Sequence, residues 1–348
     1  MNPGATMAGR VRFGSAGLWA LAWRQLARDR VGLASLVVLV LCLALVAASG
    51  AGLIARDWSQ EVGVSYAPPG FMGPDVAHLA PESVPARAAP PRPEVYGIED
   101  PLAGVLAEIR KDLAGGSTTE SRAPTLVFGG DKWGRDVLKK TIKGTETSVL
   151  VGLLAAALAV FVGTVLGAYA GYYGGRVDDF CNWFYSVFTS IPYLLLVLAV
   201  AAVLNQKGTV TVVLILGLTG WTGVFRLVRA EYLKHKAREY ILAADAIGAS
   251  HASRMFVHIF PNVSHVVLVQ LSLHVVLFIK SEVILSFLGF GVGVDTVSWG
   301  SMLNEAQNEL IIGKWWQLAA ATAAMAVLVT AFSLFTDALR DALDPRLK

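Results

Sequence analysis

The sequence predicts an all-α polytopic membrane protein, and three observations point to that fold class. Only 16% of the 348 residues are charged, whereas soluble domains have about a quarter. The mean hydropathy is positive, at +0.56. A bilayer-crossing helix needs about 20 apolar residues, because its backbone polar groups must be satisfied within the segment. Six stretches meet that need: Val31–Ile54, Val149–Ala170, Trp183–Leu204, Thr209–Val228, Val266–Gly289 and Trp315–Thr336.

The first stretch, Val31–Ile54, is expected to be a permanent anchor. Its apolar run is too long for the core of a cleaved signal peptide, and thirty residues precede it. The basic leader before it, residues 1–30, has one acid, Asp29, and five arginines: Arg10, Arg12, Arg24, Arg28 and Arg30. Basic residues stay on the cytoplasmic side, so the N-terminus is expected in the cytoplasm. Six crossings return the C-terminus to the same side.

The later loops agree with this orientation, with one exception. The basic segment 229–262 falls on the cytoplasmic side, and the acidic segment 291–314 falls on the outer side. The exception precedes the second span, on the outer side, and contains Lys132, Arg135, Lys139, Lys140 and Lys143. Three acids are interspersed with these bases: Asp131, Asp136 and Glu146.

Residues 55–127 form a proline-rich external insertion between the first two spans. They hold ten of the fourteen prolines in the chain, and proline opposes regular helix and central strand. One amphipathic helix is predicted inside the insertion, with Asp100 as N-cap and Pro101 at its first position. Its apolar stripe would be Leu102, Val105, Leu106, Ile109 and Leu113. An extended linker with this one helix is favoured over a folded subdomain.

Several kinds of chemistry are not expected in this chain. The segment GGDKWGRD, residues 129–136, has glycine spacing but lacks the Lys and Ser/Thr that a phosphate-binding loop requires. The histidines show no metal-ligand spacing. Cys42 and Cys181 lie in apolar stretches and support neither a disulfide framework nor a metal site. We therefore expect no metal and no catalytic site, and the net charge of +3 is too small to suggest nucleic acid as a partner.

The cytoplasmic segment between the fourth and fifth spans has the pattern of a docking element. Two short helical patterns flank Gly248, and the second ends at Pro261. Glycine permits a sharp reversal that a β-carbon would oppose, and the small residues Ala243 and Ala244 would let another surface approach closely. The alternative is a hairpin lying on lipid, for which larger apolar residues are expected in place of the alanines.

This segment resembles the "EAA" loop of bacterial ABC-importer permeases, which grips a cleft on the ATPase subunit. The matching positions are Ala243-Ala244, Gly248, Ile259 and Pro261, whereas Leu242 stands where the family has glutamate. The resemblance implies an ATPase-coupling loop, within 229–262, that is formed by Leu242, Ala243, Ala244, Asp245, Ile247, Gly248, Ala249, Ser250 and Pro261.

Further motifs are similar to the C-type subunit of oligopeptide and dipeptide permeases. The N-terminal family motif contains Asp131, Gly134, Arg135 and Asp136. Others are Gly171-Tyr-Tyr-Gly-Gly175, Glu282 with Leu285-Ser-Phe-Leu-Gly289, Ser298-Trp-Gly300 and Arg340-Asp-Ala-Leu-Asp-Pro-Arg346. The resemblance implies the type I ABC-importer permease fold, with a core domain at 128–348. The long insertion is closer to the microcin-C-type branch.

The function that this resemblance implies is that of a permease subunit in an ABC importer of the bacterial inner membrane, most often for oligopeptides or dipeptides. Its partners would be a second homologous permease, two ATPase subunits, an external solute-binding protein and the lipid bilayer. ATP and magnesium would be bound by the ATPase subunits, with no cofactor in this chain.

Three alternatives stay open from the sequence. Importers of nickel chelates, microcin or other peptide-like solutes use the same scaffold. An ion-coupled secondary transporter would show inverted repeats and several midplane acids, and the spans offer only Glu282. A purely structural membrane anchor would not need the family motifs.

Lys280 and Glu282 lie inside the fifth predicted span, where a charge is costly unless it is paired, hydrated or able to reach the interface. Two positions correspond to about 200° around a helix, so the two side chains cannot pair with each other. Glu282 is expected to form a structural hydrogen bond to a neighbouring helix. For Lys280, a place in the translocation path and snorkelling along its long stem stay equal alternatives. Pro192 is expected to kink the third span.

Overall fold

The computed structural model describes residues 25–74, 102, 104–106, 108, 122–293 and 295–343. In this part of the chain a π-helical segment, Ser253–Ile259, runs directly into a long α-helix. The α-helices are α1 (Arg30–Gly50), α2 (Val137–Tyr173), α3 (Gly175–Thr189), α4 (Tyr193–Leu204), α5 (Thr209–Thr219), α6 (Thr222–Lys236), α7 (Glu239–Ala246), α8 (Phe260–Phe287), α9 (Trp299–Ile311) and α10 (Trp316–Leu343).

Among the described residues, four helical segments are long and apolar enough to cross a membrane. They are α1, α2, Ser253–Phe287 and α10. Two bent pairs, α3 with α4 and α5 with α6, pass the same test of length and composition when each pair is taken together, which gives up to six spans. The six predicted stretches therefore all fall on helices or on bent helix pairs, and the all-α fold class is confirmed.

The third and fourth predicted spans are broken rather than continuous. The axes of α3 and α4 differ by 84°, and α4 begins directly after Pro192. Proline lacks an N–H and disfavours helical backbone at the residue before it, so the predicted kink is a full break. The axes of α5 and α6 differ by 41°, at Gly220 and Trp221.

The predicted external loop 291–314 contains a helix that the sequence analysis missed. Helix α9 has 13 residues and is too short to span a membrane. Its buried residues are Trp299, Met302, Ala306 and Glu309, a spacing of three and four that is the signature of one helical face.

Helices α2 and α6 approach each other closely along a row of three glycines. Gly163, Gly167 and Gly171 recur every four residues, so they lie on one face of α2. A β-carbon on each would lie 2.6–2.8 Å from a carbonyl oxygen of Trp221, Phe225 or Arg229. This contact is too close for any larger residue, as in the small-residue interfaces of other membrane helices.

Two compact units divide the chain. Within the described residues, the first comprises 25–54, 141–293, 295–305 and 321–343, and the second comprises 55–74, 102, 104–106, 108, 122–140 and 306–320. The predicted boundary between insertion and core, at 127/128, therefore falls inside the second unit.

Part of the proline-rich insertion is folded, which corrects the expectation of an extended linker. Isolated bridges in the second unit pair Gly63 with Ala123 and Pro69 with Leu126. The amide of Leu126 donates to the carbonyl of Pro68 at 3.2 Å, and the amide of Gly70 donates to that of Leu126 at 2.7 Å. Proline can join such bridges because its carbonyl still accepts a hydrogen bond.

Several predicted features lie outside the described residues. They are the leader up to residue 24, insertion residues 75–101 and 109–121 including Asp100, Pro101, Ile109 and Leu113, and the C-terminal residues 344–348. Residues 104–106 and 108 are helical, and the amide of Leu106 donates to the carbonyl of Leu102 at 2.8 Å. These contacts agree with the predicted short helix.

Candidate functional site

The candidate coupling loop folds as a helical hairpin with Gly248 at its turn. Gly248 has a φ of +81°, a conformation that side chains with a β-carbon resist. No atom lies within 4 Å of the position that its β-carbon would occupy. The backbone conformation, rather than crowding, is thus the reason for glycine. Helices lie on both sides of Gly248, as the pattern predicts. The second helix does not end at Pro261, however, because the π-helical segment runs directly into α8 and Pro261 lies in the first turn of α8, where its missing N–H is tolerated. The oxygen of Ser250 accepts from the amide of Ser253 at 3.2 Å.

The hairpin presents apolar side chains outward and buries others. Leu242 is 59% exposed and Ile247 is 86% exposed, and Ala243 is also exposed. Ala244 is only 5% exposed, and Ile241 only 3%. The expectation that Ala244 enters a groove of another subunit therefore needs correction, because its face of α7 packs inside this chain. Asp245, Gly248 and Ser250 are exposed, Ala249 is half-buried and Pro261 is exposed.

A buried apolar cluster connects the hairpin to the helices on which it packs. It joins α7 and the π-helical segment to α2 and α6 through Val160, Ala168, Tyr172, Val224, Val228, Tyr232, Ile241, Met255, Ile259 and Val263. The hydroxyl of Tyr232 donates to the carbonyl of Met255 at 3.2 Å. The hairpin is consequently fixed to two spans at once.

A polar junction at the end of α2 adds a second connection. The hydroxyl of Tyr172 lies 2.9 Å from Nδ1 of His251, and the guanidinium of Arg254 lies 3.0 Å from the same nitrogen. Arginine can only donate, so Nδ1 is the acceptor and Tyr172 donates as well. Arg254 also forms an ion pair with Asp245 of α7. The side chain of His251 is exposed, yet its ring also contacts Tyr172 and Arg254.

An ion pair fastens α6 to α3 near the same end of α2. Nε and one terminal nitrogen of the Arg229 guanidinium donate to the two oxygens of Asp178, at 2.5 and 2.6 Å. Asn182 donates to the same carboxylate at 2.9 Å. Bidentate pairs of this kind fix orientation as well as distance. Helix α6, which leads into the hairpin, is therefore held by α2 on one face and by α3 on another.

The N-terminal family motif builds a buried turn in the second unit. The carboxylate of Asp131 is fully buried and accepts from the amides of Trp133 at 2.9 Å and Arg135 at 3.0 Å. Its other oxygen accepts from Lys140 at 2.8 Å, and Lys140 also donates to Gln317 at 3.2 Å. A buried ammonium requires such partners.

The same motif also starts α2. Asp136 accepts from the amide of Leu138 at 2.8 Å, which satisfies a donor that the first turn would otherwise leave unpaired. Gly134 has a φ of +76°, and a β-carbon there would lie 2.0 Å from the carbonyl oxygen of Gly63. The guanidinium of Arg135 lies over the ring of Trp58, 5.7 Å from its centroid. The motif is thus a folding element of the second unit.

The two intramembrane charges of α8 have different surroundings. Glu282 is fully buried and accepts from the hydroxyls of Ser148 at 2.7 Å and Ser286 at 2.6 Å. Ser148 belongs to α2, so the predicted hydrogen bond to a neighbouring helix is confirmed. The amide of Trp299 donates to Ser148 at 3.3 Å, which connects α9 to the same cluster. Lys280 is exposed on another face of α8, as the 200° separation requires.

Some of the residues that support the hairpin were missed by sequence reasoning. The contact between α2 and α6 could have been predicted from the spacing of Gly163, Gly167 and Gly171, because small residues four positions apart indicate helix contact in membranes. Tyr172 and Arg229 gave no such signal, since their partners lie 79 and 51 positions away.

Comparison with known proteins shows the family of this chain. Residues 163–348 match the family described as the binding-protein-dependent transport system inner membrane component. Residues 17–69 match the N-terminal transmembrane domain of oligopeptide transport permease C. The dipeptide transport system permease protein DppC of Bacillus subtilis is 37% identical over 235 residues, which cover 67% of this chain and 73% of that protein.

Other similar proteins have related names. The oligopeptide transport system permease protein OppC of Escherichia coli K12 is 39% identical over 219 residues, 63% of this chain and 72% of that protein. A solved amino acid ABC transporter with histidines is 17% identical, with a TM-score of 0.43, over 58% of this chain and 93% of the other.

The fold and the family together define a multi-pass permease subunit of the inner membrane. The chain belongs to the family of inner membrane components of binding-protein-dependent transport systems.

Proposed function

We propose that this chain is the C-type permease subunit of an ATP-driven peptide importer, and that the hairpin around Gly248 is its contact with the ATPase subunits. The observation that carries the proposal is the exposed apolar surface of Leu242, Ala243 and Ile247 on a hairpin fixed to two spans. An exposed leucine or isoleucine at the tip of a rigid element suits a groove on a partner.

The internal contacts supply a route from the hairpin to the membrane. The buried cluster beneath the hairpin and the junction of Tyr172 with His251 connect it to α2 and α6. The glycine row keeps α2 and α6 in backbone contact, so the two helices move as one body. When ATP closes the ATPase dimer, the hairpin follows, and the attached spans rock to expose the pathway on the other side.

Leu242 defines the character of this contact. The family has a glutamate at that position, and leucine offers no charge to pair with the ATPase. The contact therefore depends on apolar shape, with Leu242 and Ile247 as its anchors.

The proposed assembly contains a second homologous permease, two ATPase subunits that bind ATP and magnesium, and an external solute-binding protein. This chain contributes no catalytic site. Its N- and C-termini lie in the cytoplasm, on the side of the hairpin, which fits the basic segment 229–262.

Short peptides are the proposed cargo. The similar proteins named above are dipeptide and oligopeptide permeases, over two thirds or more of their length. A microcin, nickel-chelate or other peptide-like solute is the second candidate, and the length of the insertion 55–127 favours it.

The test is purification of the tagged chain from its native membrane, followed by identification of the associated subunits. Reconstituted complexes are then given their binding protein with peptides of two to five residues, or with a nickel chelate. We expect ATPase subunits to copurify and peptides to stimulate ATP hydrolysis. A homo-oligomer without ATPase would contradict the importer proposal. If the nickel chelate alone stimulates ATP hydrolysis, the cargo is the chelate and not a peptide.

A further inference from the structure

A cavity of about 300 Å³ lies between α6, α8 and α10, within the first unit. Its polar lining consists of Arg340, His265 and Gln270, and its apolar lining includes Leu227, Val269 and Leu273. Neither the coupling hairpin nor the Glu282 cluster uses these residues. The cavity therefore needs an explanation of its own.

Two of the polar groups, His265 and Arg340, lie at one end of the cavity, whereas Gln270 lies beside Val269 further along α8. His265 lies in the second turn of α8, and Arg340 lies in the last turn of α10. Since both line one cavity, the start of α8 and the end of α10 lie at the same level. His265 directly precedes the predicted apolar stretch Val266–Gly289, and Arg340 lies four residues beyond the predicted stretch Trp315–Thr336. We infer that both lie near the depth of the lipid headgroups.

The apolar groups continue from that end toward the middle of the bilayer. His265, Val269 and Leu273 recur every four residues, so they form one stripe along α8. Eight residues of helix advance by about 12 Å, enough to pass from a headgroup to the upper part of an acyl chain. Leu227 is 39% exposed and Leu273 is 42% exposed, which leaves this stripe open at its side.

Arg340 has the charge that an anion requires. It takes part in none of the ion pairs found within residues 25–74, 122–293 and 295–343. Asp337 and Asp341 are near it along α10, but neither lines the cavity. A guanidinium, an imidazole and an amide can together donate several hydrogen bonds to phosphate oxygens.

We propose that this cavity binds an anionic phospholipid, with its phosphate at Arg340 and His265 and an acyl chain along Val269 and Leu273. A basic group at headgroup depth above an apolar groove matches such a lipid in both charge and polarity. A peptide cargo fits less well, because the apolar stripe is open to the side of the helices at bilayer depth.

Native mass spectrometry of the purified transporter complex tests this site. The complex is titrated with phosphatidylglycerol, and separately with phosphatidylcholine. We expect phosphatidylglycerol to be retained preferentially, and Arg340→Gln to reduce its retention about fivefold. The matched control is Arg226→Gln, since Arg226 precedes a lining residue on α6 but does not line the cavity.

A second variant separates this site from a general attraction of basic residues for lipid. Leu273→Trp fills the groove without changing any charge, and it too should lower phosphatidylglycerol retention. Equal loss in the Arg226 control, equal retention of phosphatidylcholine, or unchanged retention in both cavity variants would overturn the proposal. So would displacement of the lipid by inorganic phosphate or by a short peptide, each of which would identify a different ligand.

Discussion

His251 holds the hairpin around Gly248 to α2 through one ring nitrogen, which accepts from Tyr172 and Arg254. His251→Phe keeps the aromatic packing against Tyr172 but removes the acceptor, whereas His251→Asn keeps an acceptor. We expect the phenylalanine variant to hydrolyse ATP with less transport per ATP. The asparagine variant should keep more of the coupling. Cargo-stimulated hydrolysis and uptake in the same liposomes measure this ratio, and normal ratios in both variants would show that the junction has no part in coupling.

Ile247 and Ala244 distinguish docking from internal packing on the same hairpin. Ile247→Asp places a charge on a side chain that is 86% exposed, so it should release the ATPase subunits with little change in thermal stability. Ile247→Val is the conservative control. Ala244→Arg should instead lower thermal stability, because that position is only 5% exposed. If the Ile247→Asp variant retains its ATPase subunits fully, the hairpin is not the contact with the ATPase subunits.

The buried pair of Asp131 and Lys140 should be one of the most sensitive points of the second unit. Asp131→Ala removes the carboxylate of a buried ion pair, a change that typically costs about 3–5 kcal/mol. The double variant Asp131→Asn with Lys140→Met should recover part of the loss. For comparison, Glu61→Gln breaks an exposed pair with Arg122 and should cost under about 1 kcal/mol. Thermal unfolding of the purified chain measures all three, and equal losses for Asp131→Ala and Glu61→Gln would contradict the burial argument.

At the scale of helices, the glycine row of α2 should tolerate no added carbon. In Gly167→Ala the new β-carbon would lie 2.8 Å from the carbonyl oxygen of Phe225, so α2 and α6 must separate. Gly223→Ala is the matched control on α6, where the nearest side-chain atom would be 4.0 Å away. We expect Gly167→Ala to lower thermal stability and Gly223→Ala to leave it unchanged or raise it, since alanine favours helix by about 1 kcal/mol. Equal effects would mean that the close contact does not hold the helices together.

The positions of the helices were predictable from the sequence, whereas the breaks within the third and fourth spans were less so. Six apolar runs suffice to locate spans, because the bilayer imposes both length and helical structure. The size of the bend at Pro192 could not be read, since a proline kink depends on how neighbouring helices satisfy the freed backbone groups. Helix α9 was missed because its stripe from Trp299 to Glu309 mixes polar with apolar residues. In the candidate site, the turn at Gly248 was predictable from local chemistry, whereas Tyr172 and His251 meet only through tertiary structure.

At the scale of the whole molecule, a deletion within the long insertion tests whether this segment contributes to uptake. Pro68 and Pro69 are buried in bridges with Leu126, so a deletion that begins at Pro68 would damage the fold of the second unit. Replacement of residues 77–120 by a short Gly/Ser linker avoids them. We expect assembled transporter with reduced uptake, because the proposed topology puts this proline-dense segment on the side of the binding protein. Normal uptake would reduce this segment to a tolerated linker.

The paired bases ahead of the second span have a consequence for how the chain is inserted. Lys139 bonds to Asp57 at 2.6 Å, Lys140 to Asp131 at 2.8 Å and Lys143 to Glu146 at 2.7 Å. The bond from Lys139 also lowers the pKa of the Asp57 carboxyl. Before folding, these bases oppose export, because basic residues tend to stay in the cytoplasm. In the proposed topology these pairs form on the outer side, where each of the three positive charges then has a local counter-charge. Folding there would act as a one-way step that prevents the segment from slipping back during biogenesis.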